Sequence, residues 1–197
     1  TTMATNGILG LFNGGGANNG SNNNTSTNGG GTPTTGGGGA TENPDDLIGI
    51  KAQAARLLAG YTESIASARD NLNQWNANSG QVSSLLTSVS YTCPARAGEA
   101  YARQQSIGVI APKITQDAQT LTELAQQITD ISTAIQNATT AVAISDLLSQ
   151  ADPLNSAIAT VETRAATRNA QLQGLQGDAQ SNLTNRACNV PLSPLDE

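Results

Sequence analysis

The amino-acid sequence predicts an all-α protein: an elongated up-down-up three-helix bundle preceded by a non-helical arm rich in Gly, Asn and Thr. Apolar residues recur every three or four positions beyond residue 43, which is the periodicity of a helix with one buried face. Thirteen of the 20 glycines lie before residue 40. Aromatic residues make up only 3% of the chain, so the core must come from Leu, Ile, Val and Ala, which suit close-packed helices.

The predicted arm, residues 1–43, contains a single charged residue, Glu42, and is otherwise dominated by Gly, Asn, Thr and Ser. A segment of this composition cannot bury enough apolar surface to fold alone, and a solvated linker is its simplest interpretation. One apolar cluster near the N-terminus favours a second interpretation, because about thirty linker-like residues would let it reach another subunit. We expect this cluster to be an assembly anchor on a neighbouring chain: Ile8, Leu9, Leu11 and Phe12.

The first helix begins at a strong start signal. Asn43 is a favourable N-cap, and Pro44 can take the first helical position without losing a hydrogen bond. Asp45 and Asp46 would face the positive end of the helix dipole. The stripe that follows has the spacing of one buried helix face: Leu47, Ile50, Ala54, Leu57, Tyr61, Ile65, Ala68, Leu72 and Trp75.

The Asn-Ser-Gly sequence at 78–80 offers a competing interpretation, since it resembles a turn and would split this helix in two. The apolar stripe nevertheless continues in the same alternation of three and four as far as Cys93. A turn would usually reset that register. We therefore predict one helix from about Asp45 to Thr92, with a four-helix bundle as the alternative.

The second helix is predicted by a stripe that runs from Ile114 to Val142, and it should end near Leu148. Pro112 stands just ahead of it. Residues 94–112 would then connect the first two helices, with a short helix over Ala95–Gln105. Two glycines and Pro112 should keep this short helix separate from its neighbours.

The third helix is predicted to open with Asp152 as its N-cap and Pro153 as its first residue, and its apolar stripe runs to Leu183. Only residues 151–153 would separate it from the second helix, so the two should form an antiparallel pair. The resulting domain plan is an arm at 1–43, a helical bundle at 44–190 and a C-terminal tail at 191–197.

The two cysteines, Cys93 and Cys188, are either two buried thiols or one disulfide. In an up-down-up bundle the first and third helices point the same way, so both cysteines arrive at the end of the bundle opposite the arm. A disulfide needs α-carbons within about 7 Å, which this topology satisfies better than four helices do. We therefore predict an intramolecular disulfide.

The composition also excludes several classes of function. The formal net charge is −6 and the nine basic residues are scattered, which argues against nucleic acid and anionic membranes. No stretch approaches the roughly 20 apolar residues that span a bilayer. There is no histidine, no zinc-ligand set and no phosphate-binding glycine motif, so we predict a protein that is not an enzyme and has neither cofactor nor metal.

The sequence opens at Thr1 rather than Met and has no basic-then-apolar leader. We expect a secreted, extracellular or cell-surface chain whose leader has been removed, with an artificial boundary as the alternative. Poor lysine content and richness in Asn, Thr and Gly agree with that location. Several Asn-x-Ser/Thr triplets are candidate glycan attachment points, although such triplets arise readily by chance here, among them those that begin at Asn23, Asn24, Asn137 and Asn182.

Three functions follow from these features. The first is a structural subunit that self-assembles into an extracellular filament or surface layer, with the arm contacting neighbouring subunits. The second is an adhesin-like, pilus-tip or virion fibre component, and the third is a secreted helical carrier of a small apolar ligand. The general plan resembles minor pilins of conjugative secretion systems and fibrous proteins of virions, although no motif assigns the chain to either.

Overall fold

A computed structural model describes residues 44–185 and 188–196 of the chain. These residues form three α-helices and no β-strand. The helices are α1 (Pro44–Thr92), α2 (Ala97–Asn137) and α3 (Ala141–Asn185), and a 3₁₀ turn over Pro94–Arg96 precedes α2. With 49, 41 and 45 residues, the helices are about 73, 61 and 67 Å long. The predicted arm and its anchor residues lie outside the described residues.

Helix α1 runs without interruption through residues 78–80, as the continuous apolar register predicts. The core residues beyond this point, Val82, Leu86 and Val89, are completely buried. Gly80 lies on the exposed side, while Ser79 is half-buried on the stripe. The helix therefore continues because its buried face continues on both sides of the Asn-Ser-Gly sequence, and the four-helix alternative is wrong.

Hydrogen bonds between α1 and α2 show that these helices are antiparallel. Near the start of α1, Lys51 Nζ donates to the carbonyl of Gln136 at 2.7 Å, close to the end of α2. Near the end of α1, Gln104 Nε2 donates to Thr87 Oγ1 at 2.7 Å, close to the start of α2. The connecting segments are short, as expected for neighbouring antiparallel helices.

Helices α1 and α3 are parallel, because their contacting residues keep a nearly constant separation in sequence. Asn169 Nδ2 donates to Asn71 Oδ1 and to Gln74 Oε1, at separations of 98 and 95 residues. The two cysteines at the end of the bundle are also 95 residues apart. The bundle is therefore up-down-up, and α1 packs against both of the other helices.

The predicted bounds of the second helix are wrong at both ends. Helix α2 begins at Ala97, so the short helix expected over Ala95–Gln105 is part of it, and Pro112 lies inside the helix. Ile110 and Ile114 are fully buried on either side of this proline, while Pro112 itself is exposed. Burial of this continuous stripe offsets the roughly 3 kcal/mol that a proline inside a helix usually costs.

The predicted turn at 151–153 is also wrong, because the chain reverses at residues 138–140 and α3 begins at Ala141. Thr140 Oγ1 accepts a hydrogen bond from the backbone N–H of Ala143 at 3.2 Å, which caps the new helix. Pro153 is exposed within α3. Val142, predicted on the core stripe of the second helix, instead lies in the first turn of α3 and is 67% exposed.

The core is built mainly from aliphatic side chains, as the scarcity of aromatic residues predicts. Trp75 and Tyr61, both predicted on the core stripe, are 1% and 5% exposed. The other large side chains that are almost fully buried come from all three helices: Leu72, Leu86, Ile110, Ile114, Leu121, Ile144, Ile158, Leu172 and Leu175.

Candidate functional site

The structure brings the two cysteines together at the end of α1 that lies opposite Pro44. Their sulfur atoms are 1.99 Å apart and their α-carbons are 5.3 Å apart, so Cys93 and Cys188 are joined as a disulfide. Cys93 is fully buried, and its backbone N–H donates to the carbonyl of Val89 at 2.8 Å, which extends α1 up to the linkage. We call this part of the bundle the disulfide end.

The chain beyond the disulfide is an extended segment, residues 188–196, which we call the C-terminal strap. It runs back along α3 in the antiparallel direction and also contacts the first turns of α2. Its two leucines, Leu192 and Leu195, are only 3% and 6% exposed. Three side chains of α3 mark the path of the strap: Asn182 beside Val190, Asp178 beside Ser193, and Gln171 beside Asp196.

Side chains of α3 hold the strap through its backbone. Asn182 Nδ2 donates to the carbonyl of Val190 at 2.8 Å, and Asn182 Oδ1 accepts from the N–H of the same residue at 3.2 Å. This paired arrangement replaces the bonds that a neighbouring strand would supply. One turn earlier in α3, Asp178 Oδ2 accepts the N–H of Ser193 at 2.9 Å.

Side chains of α2 hold the other side of the strap at Leu192. Its backbone N–H donates to Glu99 Oε2 at 3.0 Å, and its carbonyl accepts from Arg103 Nε and Nη2 at 3.3 and 3.2 Å. The hydrogen bond from Leu192 lowers the pKa of Glu99, and the hydrogen bond from Arg96 adds to this effect. The Glu99 carboxylate is therefore held in the charged form that accepts from the strap.

The two ends of the strap are fastened in different ways. At its start, Arg96 Nε donates to the carbonyl of Cys188 at 3.3 Å, and Arg96 Nη2 donates to that of Asn189 at 3.2 Å. At its far end, the Gln171 amide accepts the N–H of Asp196 and donates to its carboxylate, at 3.3 and 2.8 Å. The strap thus makes regular polar contacts along its whole length.

A partly buried cluster of charges lies between α2 and α3. Asp117 accepts from Arg164 Nε at 3.0 Å and from Arg168 Nη1 at 2.9 Å, and it also contacts Arg164 Nη2. The hydrogen bond with Asp117 raises the pKa of Arg164. Because Arg168 is only 6% exposed, loss of Asp117 would leave a buried charge unpaired, whereas Asp117 would keep Arg164 as a partner if Arg168 were lost. The cluster pairs one stretch of α2 with one stretch of α3.

The core also contains polar atoms that have no hydrogen-bonding partner among the described residues: Tyr61 Oη, Trp75 Nε1 and Asn169 Oδ1. Burial raises the pKa of Tyr61, and the negative charge of Asp152 adds to this effect. These atoms belong to side chains of α1 and α3. Each unpaired atom adds a free-energy cost that comes from packing a large side chain into a narrow core.

Large exposed apolar side chains are concentrated at the two ends of the bundle. Ile48 in α1 and Val142 in α3 are both 67% exposed and lie at the Pro44 end. Tyr91 in α1 and Tyr101 in α2 are 83% and 64% exposed and lie at the disulfide end. Among the described residues the fifth such side chain, Val109, is 41% exposed and lies on the flank of α2.

Two of the candidate glycan attachment points, Asn137 and Asn182, lie among the described residues. Asn182 is 1% exposed and bonded to the strap, so this triplet cannot accept a glycan in the folded protein, whereas Asn137 is exposed at the end of α2. Within residues 44–185 and 188–196, no group of three or more His, Cys, Asp and Glu side chains could hold a metal ion. None of the described helices combines the length and apolar character needed to cross a bilayer.

Neither the strap nor the charge cluster was predicted from the sequence. The sequence does contain a weak indication of the cluster, because Asp117 occupies a core position of α2 where an apolar residue is expected. The strap gave another, since Leu192 and Leu195 stand among prolines that hold a chain extended. Comparisons with protein-family models, with curated proteins and with solved structures gave no match.

Proposed function

We propose that this protein is an exported structural subunit that self-assembles into an extracellular filament or surface layer, with residues 1–43 contacting neighbouring subunits. The observation that carries this proposal is that four of the five large exposed apolar side chains in the described part of the chain lie at the two ends of the bundle. Apolar side chains at both ends favour association of subunits end to end, because each contact removes apolar surface from water.

The flanks of the bundle support the same proposal. Many exposed Ser and Thr hydroxyls donate to the backbone carbonyl four residues earlier in their own helix, as Ser84 does to Gly80 at 3.0 Å and Thr129 does to Ala125 at 2.9 Å. A hydroxyl that is already satisfied within its helix loses less when a neighbouring subunit excludes water. Such flanks can lie against other copies without matched charges.

The N-terminal arm provides the second part of the proposal. It joins the bundle at Pro44, the end that carries Ile48 and Val142. Docking of Ile8, Leu9, Leu11 and Phe12 on a neighbouring chain would contribute about 5 to 8 kcal/mol from apolar burial, before the cost of ordering the arm is subtracted. Because these two terms are close in size, each anchor side chain should matter for assembly.

Electron microscopy and sedimentation of the full chain, compared with three variants, test this proposal. We expect the full chain to form polymers, and we expect deletion of residues 1–43 or the point change Phe12→Ser to reduce assembly strongly. The double variant Ile48→Ser/Val142→Ser should do the same, because it removes the apolar side chains at the Pro44 end.

The matched control is Val109→Ser, which removes an exposed apolar side chain from the flank rather than from an end. It should assemble as the full chain does, and all variants should keep the helix content of the full chain by circular dichroism. A full chain that stays monomeric at high concentration would contradict the proposal. Normal polymers from the arm deletion would show that the arm is only a spacer.

A further inference from the structure

The C-terminal strap occupies a groove that recognises the backbone of an extended peptide. Asn182, Asp178 and Glu99 accept N–H groups of the strap, and Asn182 and Arg103 donate to its carbonyls. The buried side chains that it accepts are two leucines three residues apart, Leu192 and Leu195. None of these contacts requires that the strap belong to the same chain, so the groove would bind an identical strap from another copy equally well.

We propose that two copies of this protein exchange their straps, so that the groove of each copy is filled by residues 190–196 of the other. Exchange of an identical element is a low-cost route to a symmetric dimer, because every contact of the closed form is made again in the exchanged form. The inference rests on the proposed function, since it supplies the contact between subunits at the disulfide end.

The contacts at the start of the strap determine where the hinge of an exchange would lie. Arg96 holds the carbonyls of Cys188 and Asn189, and the disulfide fixes Cys188 to the end of α1. The part that can leave therefore begins at Val190, which is neither helical nor part of a sheet. The disulfide stays intact in both forms, so exchange requires no redox step.

The length of the strap restricts how the two copies meet. From Cys188 to Leu192 the chain can span at most about 13 Å when fully extended. The Cys188 of each copy must therefore lie close to the groove of the other, which requires the two disulfide ends to abut. A strap that leaves its own bundle in the direction of α3 then enters the partner's groove in the same direction that the resident strap follows.

The surface at the disulfide end would make the exchanged form more stable than the closed form. Because exchange conserves the contacts of the strap itself, the stability of the exchanged form depends on the new surface buried between the two ends. Tyr91 and Tyr101 are 83% and 64% exposed there, and Tyr101 lies in the same stretch of α2 as Glu99 and Arg103. Burying aromatic side chains with a polar tip is typical of protein interfaces.

The test uses the full chain with Gln171→Cys and Asp196→Cys, two positions whose side chains are 2.8 Å apart at the far end of the strap. Isotopically heavy and light preparations are mixed in urea with the disulfide intact, refolded together and treated with a short bis-maleimide, which links free thiols and leaves the disulfide untouched. Exchange predicts that about half of the linked 171–196 peptides join a heavy chain to a light one. A closed strap predicts none.

The control is the variant Thr87→Cys/Gln104→Cys, which links α1 to α2 at a contact of 2.7 Å that strap exchange leaves within one chain. Its peptides should all be heavy–heavy or light–light. The further change Tyr91→Ser/Tyr101→Ser should reduce the heavy–light fraction at least about tenfold, because it removes the surface buried between the two ends.

Failure of this inference and failure of the proposed function give different results. Polymers that contain only heavy–heavy and light–light 171–196 links would overturn strap exchange and leave the filament proposal standing. Discrete dimers with heavy–light links but no polymers would support strap exchange and contradict the filament. A monomer whose 171–196 links all fall within one chain would overturn both.

Discussion

Two short segments of the bundle differ both in amino-acid composition and in local structure: residues 78–80 within α1 and residues 138–140 between α2 and α3. The first segment is Asn-Ser-Gly, three residues typical of turns, and it lies in the middle of a 49-residue helix. The second is Ala-Thr-Thr, without Gly or Pro, and there the chain reverses direction. Local turn propensity therefore gives the wrong structure at both places.

The difference lies in the buried stripe on either side of each segment. Across residues 78–80 the stripe passes from Trp75 through Ser79 to Val82 in steps of four and three. Across residues 138–140 it breaks, because the next buried residue after Ile135 is Ile144, and Val142 points to solvent. A helix continues where its buried face continues, since packing stabilises helices more than intrinsic propensity does.

The largest expected effect comes from breaking the register at one segment and not at the other. Insertion of one Ala after Gly80 rotates the rest of α1 by about 100°, which turns Val82, Leu86 and Val89 away from the core. We expect a loss of at least about 4 kcal/mol in the free energy of unfolding, measured by urea denaturation. Cys93 would also move out of line with Cys188, so thiol titration should detect free cysteine.

The control is insertion of one Gly after Thr139, in the connection between α2 and α3. It lengthens a surface loop without rotating either helix, so it should cost less than about 1 kcal/mol. Equal losses from both insertions would show that the stripe beyond Gly80 does not hold α1 in register.

This contrast also explains which parts of the fold could be predicted from the sequence. The all-α class, the uninterrupted α1 and the pairing of Cys93 with Cys188 followed from periodicity and helix polarity. The predicted ends of α2 and the predicted start of α3 were wrong because they relied on Pro112 and Pro153 as helix boundaries. Both prolines lie inside helices, since a continuous buried stripe outweighs the local effect of proline. The register did not reveal the true turn, because Ala138 and Val142 continue the same spacing beyond Ile135 in the sequence. Only the structure shows that Val142 is exposed and belongs to α3.

The candidate site was less predictable than the fold. Residues 188–196 have no periodicity, and their partners come from two helices far away in the sequence, such as Glu99 in α2 and Asn182 in α3. Those partners bind the backbone, which carries no sequence signal of its own. The anchor predicted at Ile8, Leu9, Leu11 and Phe12 lies outside the described residues and stays a prediction.

A smaller effect is expected from the cap that makes the true turn possible. Thr140→Ala removes the hydroxyl that accepts the N–H of Ala143 at 3.2 Å, and it should destabilise the protein by about 1 kcal/mol. Thr140→Ser keeps the acceptor and should change the stability little. Thr139→Ala, one residue earlier and exposed, is the position control. Equal urea midpoints for the two alanine variants would show that the cap does not contribute.

The smallest expected effect is the change in stability caused by Gly80→Ala. Its sign distinguishes a helix from a turn at this position. A β-carbon built on Gly80 meets no atom within 4 Å, so Gly80→Ala introduces no clash. In a helix interior this change should stabilise the protein by about 0.5 to 1 kcal/mol, because alanine loses less conformational freedom on folding than glycine does. Gly60→Ala, also unobstructed in α1, should give a gain of the same size.

If residues 78–80 formed a turn with Gly80 in the left-handed region, alanine would destabilise the protein there while still stabilising it at residue 60. Urea denaturation of the two variants side by side therefore tests whether the buried stripe, rather than the Asn-Ser-Gly sequence, determines the path of α1.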